Sequence, residues 1–138
     1  MGVATDKQLV MVVDDDVDFL NLYREMLERA GYEVVCCSEL QAAFASVVER
    51  RPDLIITDLM MESLDAGFSL SRQIKEDPVL CGIPVIIVTA AGSQRGFDFR
   101  PRSEADLAAM RVDAFLEKPV SPKNLLAKVA ELLAQGRP

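Results

Sequence analysis

Apolar residues in this chain gather in five short runs, at residues 9–13 (LVMVV), 34–37 (VVCC), 54–56 (LII), 85–88 (VIIV) and 114–116 (AFL). Four of them are nearly continuous rather than alternating, as expected of strands covered on both faces in a parallel sheet. Helical patterns separate them. Residues 17–30 place Phe19, Leu20, Tyr23, Met26, Leu27 and Ala30 on one face, and Gly31 follows as a C-terminal stop. Ser38, with Gln41 three residues later, has the form of a capping box opening a second helix. Ser103 and Asp106 open a fourth in a related way. The fifth begins with Ser121 as N-cap and Pro122 at its first position, then carries the stripe Leu125, Leu126, Val129, Leu132 and Leu133 towards Gly136.

Five β-α repeats joined by right-handed crossovers predict an α/β fold, a doubly wound parallel sheet with helices on both faces. No linker, repeat or low-complexity stretch interrupts the chain, so residues 1–138 are read as a single domain with its core at about 9–133. A chain of 138 residues can bury such a core without a disulfide or structural metal. The start of the chain lacks the apolar stretch of a signal peptide, and no apolar run approaches a membrane span. A cytoplasmic protein without membrane contact is expected. Cys36, Cys37 and Cys81 have no zinc-binding spacing, and reduced, buried thiols are the expectation for them. Adjacent Cys36 and Cys37 should point to opposite faces of their strand.

Charge narrows the chemistry. There are 22 Asp and Glu against 15 Lys and Arg, a formal charge of -7, and no His. Direct nucleic-acid binding normally goes with the opposite sign. Without His there is no Ser-His triad, no histidine general base and no His-ligated zinc.

Ligands of an open α/β sheet bind outside the carboxyl ends of its strands. There the first run meets Asp14, Asp15 and Asp16, the third ends at Asp58, the fourth at Thr89, and the fifth at Lys118 before Pro119. Asp16 reads as a helix cap. If the first and third strands are neighbours, as in the order 2-1-3-4-5, Asp14, Asp15 and Asp58 converge. Crowded carboxylates at neutral pH need a cation or raised pKa values. An oxygen-only set suits Mg²⁺, which takes a few carboxylates together with phosphate oxygens. With the Lys118 ammonium and the Thr89 hydroxyl added, the set can handle a phosphoryl group, and without His the natural acceptor is a carboxylate.

Four segments closely resemble the receiver domain of bacterial two-component response regulators: Val12-Val13-Asp14-Asp15-Asp16, the run from Pro52 to Met61 around Asp58, Val88-Thr89-Ala90, and Phe115-Leu116-Glu117-Lys118-Pro119. The resemblance implies a flavodoxin-like (βα)5 fold with strand order 2-1-3-4-5. It implies that Asp58 is the phosphoacceptor for a histidine kinase or phosphotransfer protein. Mg²⁺ would be held by Asp15, Asp58 and the backbone carbonyl of Met60, with Asp14 acting mainly through water. Lys118 would pair with the acceptor and then the phosphoryl group. Thr89 would move towards the phosphate, with Phe115 turning inward. A downstream protein or output domain would read the face made by the fourth helix, fifth strand and fifth helix. Such a domain is no enzyme in the ordinary sense, although it assists its own phosphorylation and dephosphorylation.

Several positions depart from the family. Glu62 and Ser63 stand where proline and glycine are usual, and Leu64-Asp65-Ala66-Gly67 reads as a turn one residue longer than usual. Residues 92–102 form an extra stretch with Phe97, Phe99, Arg100 and Arg102, either a solvated loop or a partner contact. Arg111 replaces a usual glycine, and Asn124 and Ala130 replace charges of regulators that dimerise through the fifth helix. Residues 1–90 carry 7 basic and 16 acidic side chains, residues 91–138 carry 8 and 6, loosely in keeping with a distinct partner face. Two other readings are weighed. An aspartyl-phosphate phosphatase or phosphotransferase would usually carry a second carboxylate at position 60, which is Met. A receiver-shaped, phosphate-independent binding module would not need the full acceptor set. Phe19 and Phe44 read as core, Met60 and Met61 as packing residues. No output domain is expected in this chain.

Overall fold

The computed structural model describes residues 7–58, 66–89, 113–118 and 120–135. In chain order they form β1 (Leu9–Val13), α1 (Val17–Arg29), β2 (Glu33–Cys37), α2 (Leu40–Arg50), β3 (Leu54–Asp58), α3 (Ala66–Lys75), β4 (Val85–Thr89), β5 (Ala114–Glu117) and α4 (Pro122–Gln135). The last is the fifth helix expected from the sequence; the expected fourth, opening at Ser103 and Asp106, lies outside the described residues, as do Pro119 and the 92–102 stretch. All strand pairs are parallel and the order is β2-β1-β3-β4-β5.

Side-chain alternation sorts the strands onto two faces. Val10, Val12, Leu54, Ile56, Ile86 and Val88 pack on one face beneath Leu20, Tyr23, Met26 and Leu27 of α1 and Leu125, Val129 and Leu132 of α4. Met11, Val13, Ile55, Val85 and Ile87 pack on the other against Ala43 and Val47 of α2 and Leu70 and Ile74 of α3. Every residue of β3 is buried. In β2, at the sheet edge, every residue is only half-buried, although its sequence is as continuously apolar. Cys36 and Cys37 do lie on opposite faces, half-buried and free. Burial pushes both thiols up from their ordinary pKa. Cys81 corrects the expectation of buried thiols: it is exposed, because it belongs to the turn after α3 and not to a strand.

Helix ends follow local rules with one exception, at the start of α2. Asp16 caps α1, its side chain accepting from Asp18 N at 2.9 Å. At the other end Gly31 takes φ +100, Gly31 N donates to Glu28 O and Tyr32 N to Leu27 O, the paired bonds of a Schellman stop. Ser121 Oγ accepts from Asn124 N at 3.1 Å ahead of Pro122. The capping box at Ser38 does not form. The ladder keeps Cys37 paired with Val13, and Cys37 O accepts from Asp14 N, so the chain is still leaving the sheet at Ser38; the N-cap is Glu39, with no side-chain bond. Ala66 and Gly67 belong to the first turn of α3, with Leu70, Ser71 and Ile74 buried at helical spacing behind them; Leu64 and Asp65, the rest of the turn expected there, lie outside the described residues.

The amino ends of the strands carry a device that no sequence pattern announced. Asp53, just before β3, donates its N–H to Leu9 O and accepts Leu9 N on its carboxylate at 2.7 Å. Asp113, just before β5, does the same to β4: its N–H donates to Val85 O, and its carboxylate accepts Val85 N at 2.7 Å and Lys75 Nζ at 2.8 Å. Each aspartate satisfies the first N–H of a neighbouring strand, which the ladder leaves open. Asp113→Ala therefore strands Val85 N–H and should lower unfolding free energy by about 1–3 kcal/mol, read as a lower urea midpoint with an unchanged slope.

Candidate functional site

Ladder register assembles the opposite, carboxyl end of the sheet. Val13 pairs with Thr57, so the next residues, Asp14 and Asp58, emerge side by side from β1 and β3. Asp58 pairs with Val88, which places Thr89 one step further along β4, and Thr89 pairs with Glu117, so Lys118 follows directly. Four neighbouring strands thus deliver two carboxylates, a threonine and a lysine to one edge.

Within it, Asp14 is 2 % exposed and Asp58 9 % exposed. Lys118 Nζ lies 3.1 Å from Asp14 Oδ2 and 3.7 Å from Asp58 Oδ2, with its side chain 13 % exposed. Asp14 Oδ1 accepts from Asp16 N at 2.9 Å, which ties the carboxylate to the first turn of α1. Asp15 is exposed at the bend between β1 and α1. Oxygens of Asp14, Asp15 and Asp58 all lie within 4.8 Å of one another. Among the described residues, three carboxylates and the Lys118 ammonium meet at this edge, and the carboxylates offer oxygen donors of the kind a divalent cation takes. This acidic cluster can hold a metal ion.

Burial is the main cause that lifts the Asp14 pKa above its ordinary 3.8; the Asp16 N–H and the Lys118 ammonium work against it, and Asp15 adds to the rise. Tyr23 of α1 is buried below the site. Its ionisation is pushed up, first by burial and then by the negative charges of Asp14 and Asp58. Among the described residues its hydroxyl has no hydrogen-bond partner.

Of the residues expected at the site, Asp14, Asp15, Asp58 and Lys118 are brought together. Thr89 ends β4 on the same edge. Phe115 is half-buried and packs against the cluster on the α2–α3 face. Met60 and Ala90 lie outside the described residues. Phe19, expected in the core, packs against it but also sits directly under Lys118, whose Nζ is 4.0 Å from the ring centroid. Its stripe position marked it as apolar. The signal for more was its place in the first turn of α1, level with the carboxyl end of β1, where a crossover helix borders the ligand edge.

A buried acid whose pKa is raised in the folded state costs stability that builds as pH rises above about 3.8, where the unfolded chain ionises, and is complete above the folded value; below about 3.8 it costs nothing. Asp14→Asn should therefore raise the metal-free melting temperature at pH 7 by a few degrees, and the gain should shrink as pH falls towards 4. Thermal melts of both proteins across that range check it.

Comparison with known proteins agrees with this geometry. Residues 10–130 match the family model of the response regulator receiver domain. The chain is 31% identical over 129 residues to the phosphate regulon transcriptional regulatory protein of Pseudomonas aeruginosa, covering 94% of this chain and 53% of that protein. It is 30% identical over 127 residues to the polar-differentiation response regulator of Brucella anthropi, covering 92% of this chain and 97% of that one. The chain thus spans about half the length of the first of these relatives and nearly all of the second. Among solved structures, the signal receiver domain of a signal transduction histidine kinase from Syntrophus aciditrophicus is 28% identical and superposes with a TM-score of 0.78 over 94% of this chain and 92% of that one. With its ladder order, its acidic edge and this match over most of its length, the chain belongs to the family of response regulator receiver domains.

Proposed function

We propose that this chain is a phosphoacceptor switch in a two-component phosphorelay, with Asp58 taking a phosphoryl group from a histidine kinase or phosphotransfer protein. The observation that carries this reading is the placement of Asp58: an almost buried carboxylate at a strand end, 3.7 Å from a lysine and clustered with two further carboxylates. A carboxylate oxygen of Asp58 attacks phosphorus, the bond from phosphorus to the donor's imidazole nitrogen breaks, and the electron pair leaves with the imidazole. Lys118 then has a phosphoryl oxygen to pair with in place of a carboxylate.

Mg²⁺ is the cofactor proposed, held by Asp15, Asp58 and the Met60 carbonyl with Asp14 acting through water; when bound it would neutralise charge on the transferring phosphoryl oxygens. Thr89 is assigned the hydroxyl that bonds the phosphoryl group, and Phe115 the aromatic that moves with it. Phosphorylation adds charge and acceptor oxygens that favour one arrangement of the carboxyl-end loops. The face read by a downstream protein or output domain is assigned to β5, α4 and the segment preceding β5, with residues 92–102 as a further contact. A cytoplasmic setting without direct nucleic-acid or membrane binding goes with this role, as does reading the chain as a single domain. Among the described residues no helix is long and apolar enough to cross a membrane.

Incubation with Mg²⁺ and a small acyl phosphate, followed by intact mass, tests the reading. The native chain should gain one phosphoryl group and Asp58→Asn none; a native chain that gains nothing refutes it. Lys118→Ala should slow uptake by about 100-fold, the usual cost of removing a placed charge from a forming oxyanion. In calorimetric titration, Asp15→Asn should bind Mg²⁺ more weakly than the native chain.

A further inference from the structure

The Lys118 ammonium is gripped from two directions, and only one belongs to the acidic cluster. Carboxylates of Asp14 and Asp58 stand at 3.1 and 3.7 Å. The Phe19 ring lies on another side, with its centroid 4.0 Å from Nζ. At that distance a cation is attracted by the negative face of the ring, most strongly where water is excluded, and the Lys118 side chain is only 13 % exposed. The ring itself is backed by Tyr23, stacked at 6.1 Å between centroids and 27° between planes, and Tyr23 is 2 % exposed. A buried tyrosine thus holds the phenylalanine, and the phenylalanine holds the lysine.

We propose that Phe19 is a positioning residue for phosphoryl transfer, which keeps the Lys118 ammonium aimed into the site through a cation–π contact. This rests on the phosphoacceptor reading above. The reason lies in what happens to the lysine as the reaction proceeds. An ammonium has three N–H donors and a long, rotatable stem, and it must leave the Asp58 carboxylate for a phosphoryl oxygen without swinging out into water. A contact with the ring face is indifferent to which oxygen the ammonium pairs with. It restrains the lysine on both sides of the transfer and takes the place of a hydrating water. An aliphatic residue at position 19 would fill the same space and offer no such attraction.

Graded fluorination of the ring separates attraction from packing, because each fluorine weakens the negative face while changing shape little. Native protein and variants carrying mono-, di- and trifluorophenylalanine at position 19 are phosphorylated with Mg²⁺ and a small acyl phosphate, alongside Phe19→Leu and Phe19→Tyr. The logarithm of the uptake rate should fall steadily with fluorine number, reaching about tenfold at three fluorines, which corresponds to about 1.4 kcal/mol. Phe19→Leu should fall at least as far, and Phe19→Tyr should keep most of the native rate. Independently of activity, the Lys118 ε-methylene protons should resonate upfield of ordinary lysines through the ring current, and return to the ordinary position in Phe19→Leu. A flat fluorine series in proteins of unchanged melting temperature overturns the proposal, as does an ordinary Lys118 shift in the native chain. If the native chain takes up no phosphoryl group at all, the acceptor reading fails and the role of Phe19 fails with it; uptake with a flat series removes the role of Phe19 alone.

Discussion

Two carboxylates, Asp14 and Asp58, leave adjacent parallel strands at the same level and are both nearly buried. Side by side in that position their charges would repel, and the Lys118 ammonium, 3.1 Å from one and 3.7 Å from the other, offsets that repulsion. Much of the molecule serves that contact. Strand order brings β1 and β3 together, and β4 separates them from β5, so the lysine reaches back across the sheet edge. Asp16 and the first turn of α1 fix one oxygen of Asp14. The aromatic pair under the lysine fills the space that water would otherwise enter.

Three carboxylates share this edge, and that crowding is what the proposed chemistry draws on. Burial raises the pKa of Asp14, and a third carboxylate stands close by. Crowding buried carboxylates costs folding stability in the resting protein, and under the proposed function the same crowding would supply affinity for a cation, a common trade at functional sites.

Most of the architecture could be read from the sequence because the strands are continuous apolar runs and the polar residues that end them are few. Asp14, Asp15, Asp58 and Lys118 stood out as interruptions, and the ladder brings them together as their order implied. Other features have no such contrast. A single aspartate before a strand looks like any turn residue, so the reciprocal bonds of Asp53 and Asp113 could not be foreseen. Phe19 lies on a helical apolar stripe, which says that it is sheltered and not that a cation rests on it. Ser38 and Gln41 had the spacing of a cap, but the ladder held the chain extended past the point where the cap would form. Cys81 belongs to a turn, where apolar character carries no information about depth.

The two aspartates at the amino ends have a consequence for how this sheet tolerates change. Asp53 locks the start of β1 to β3, and Asp113 locks the start of β4 to β5, each by a reciprocal pair of hydrogen bonds. Sliding one strand by a residue would break both bonds of a pair and turn every side chain to the wrong face. Alignment of these two strand pairs is therefore pinned at the end of the sheet opposite the acidic cluster. Connections at the other end are released from that duty, so a change in their length need not shift Asp58 or Lys118 along the sheet.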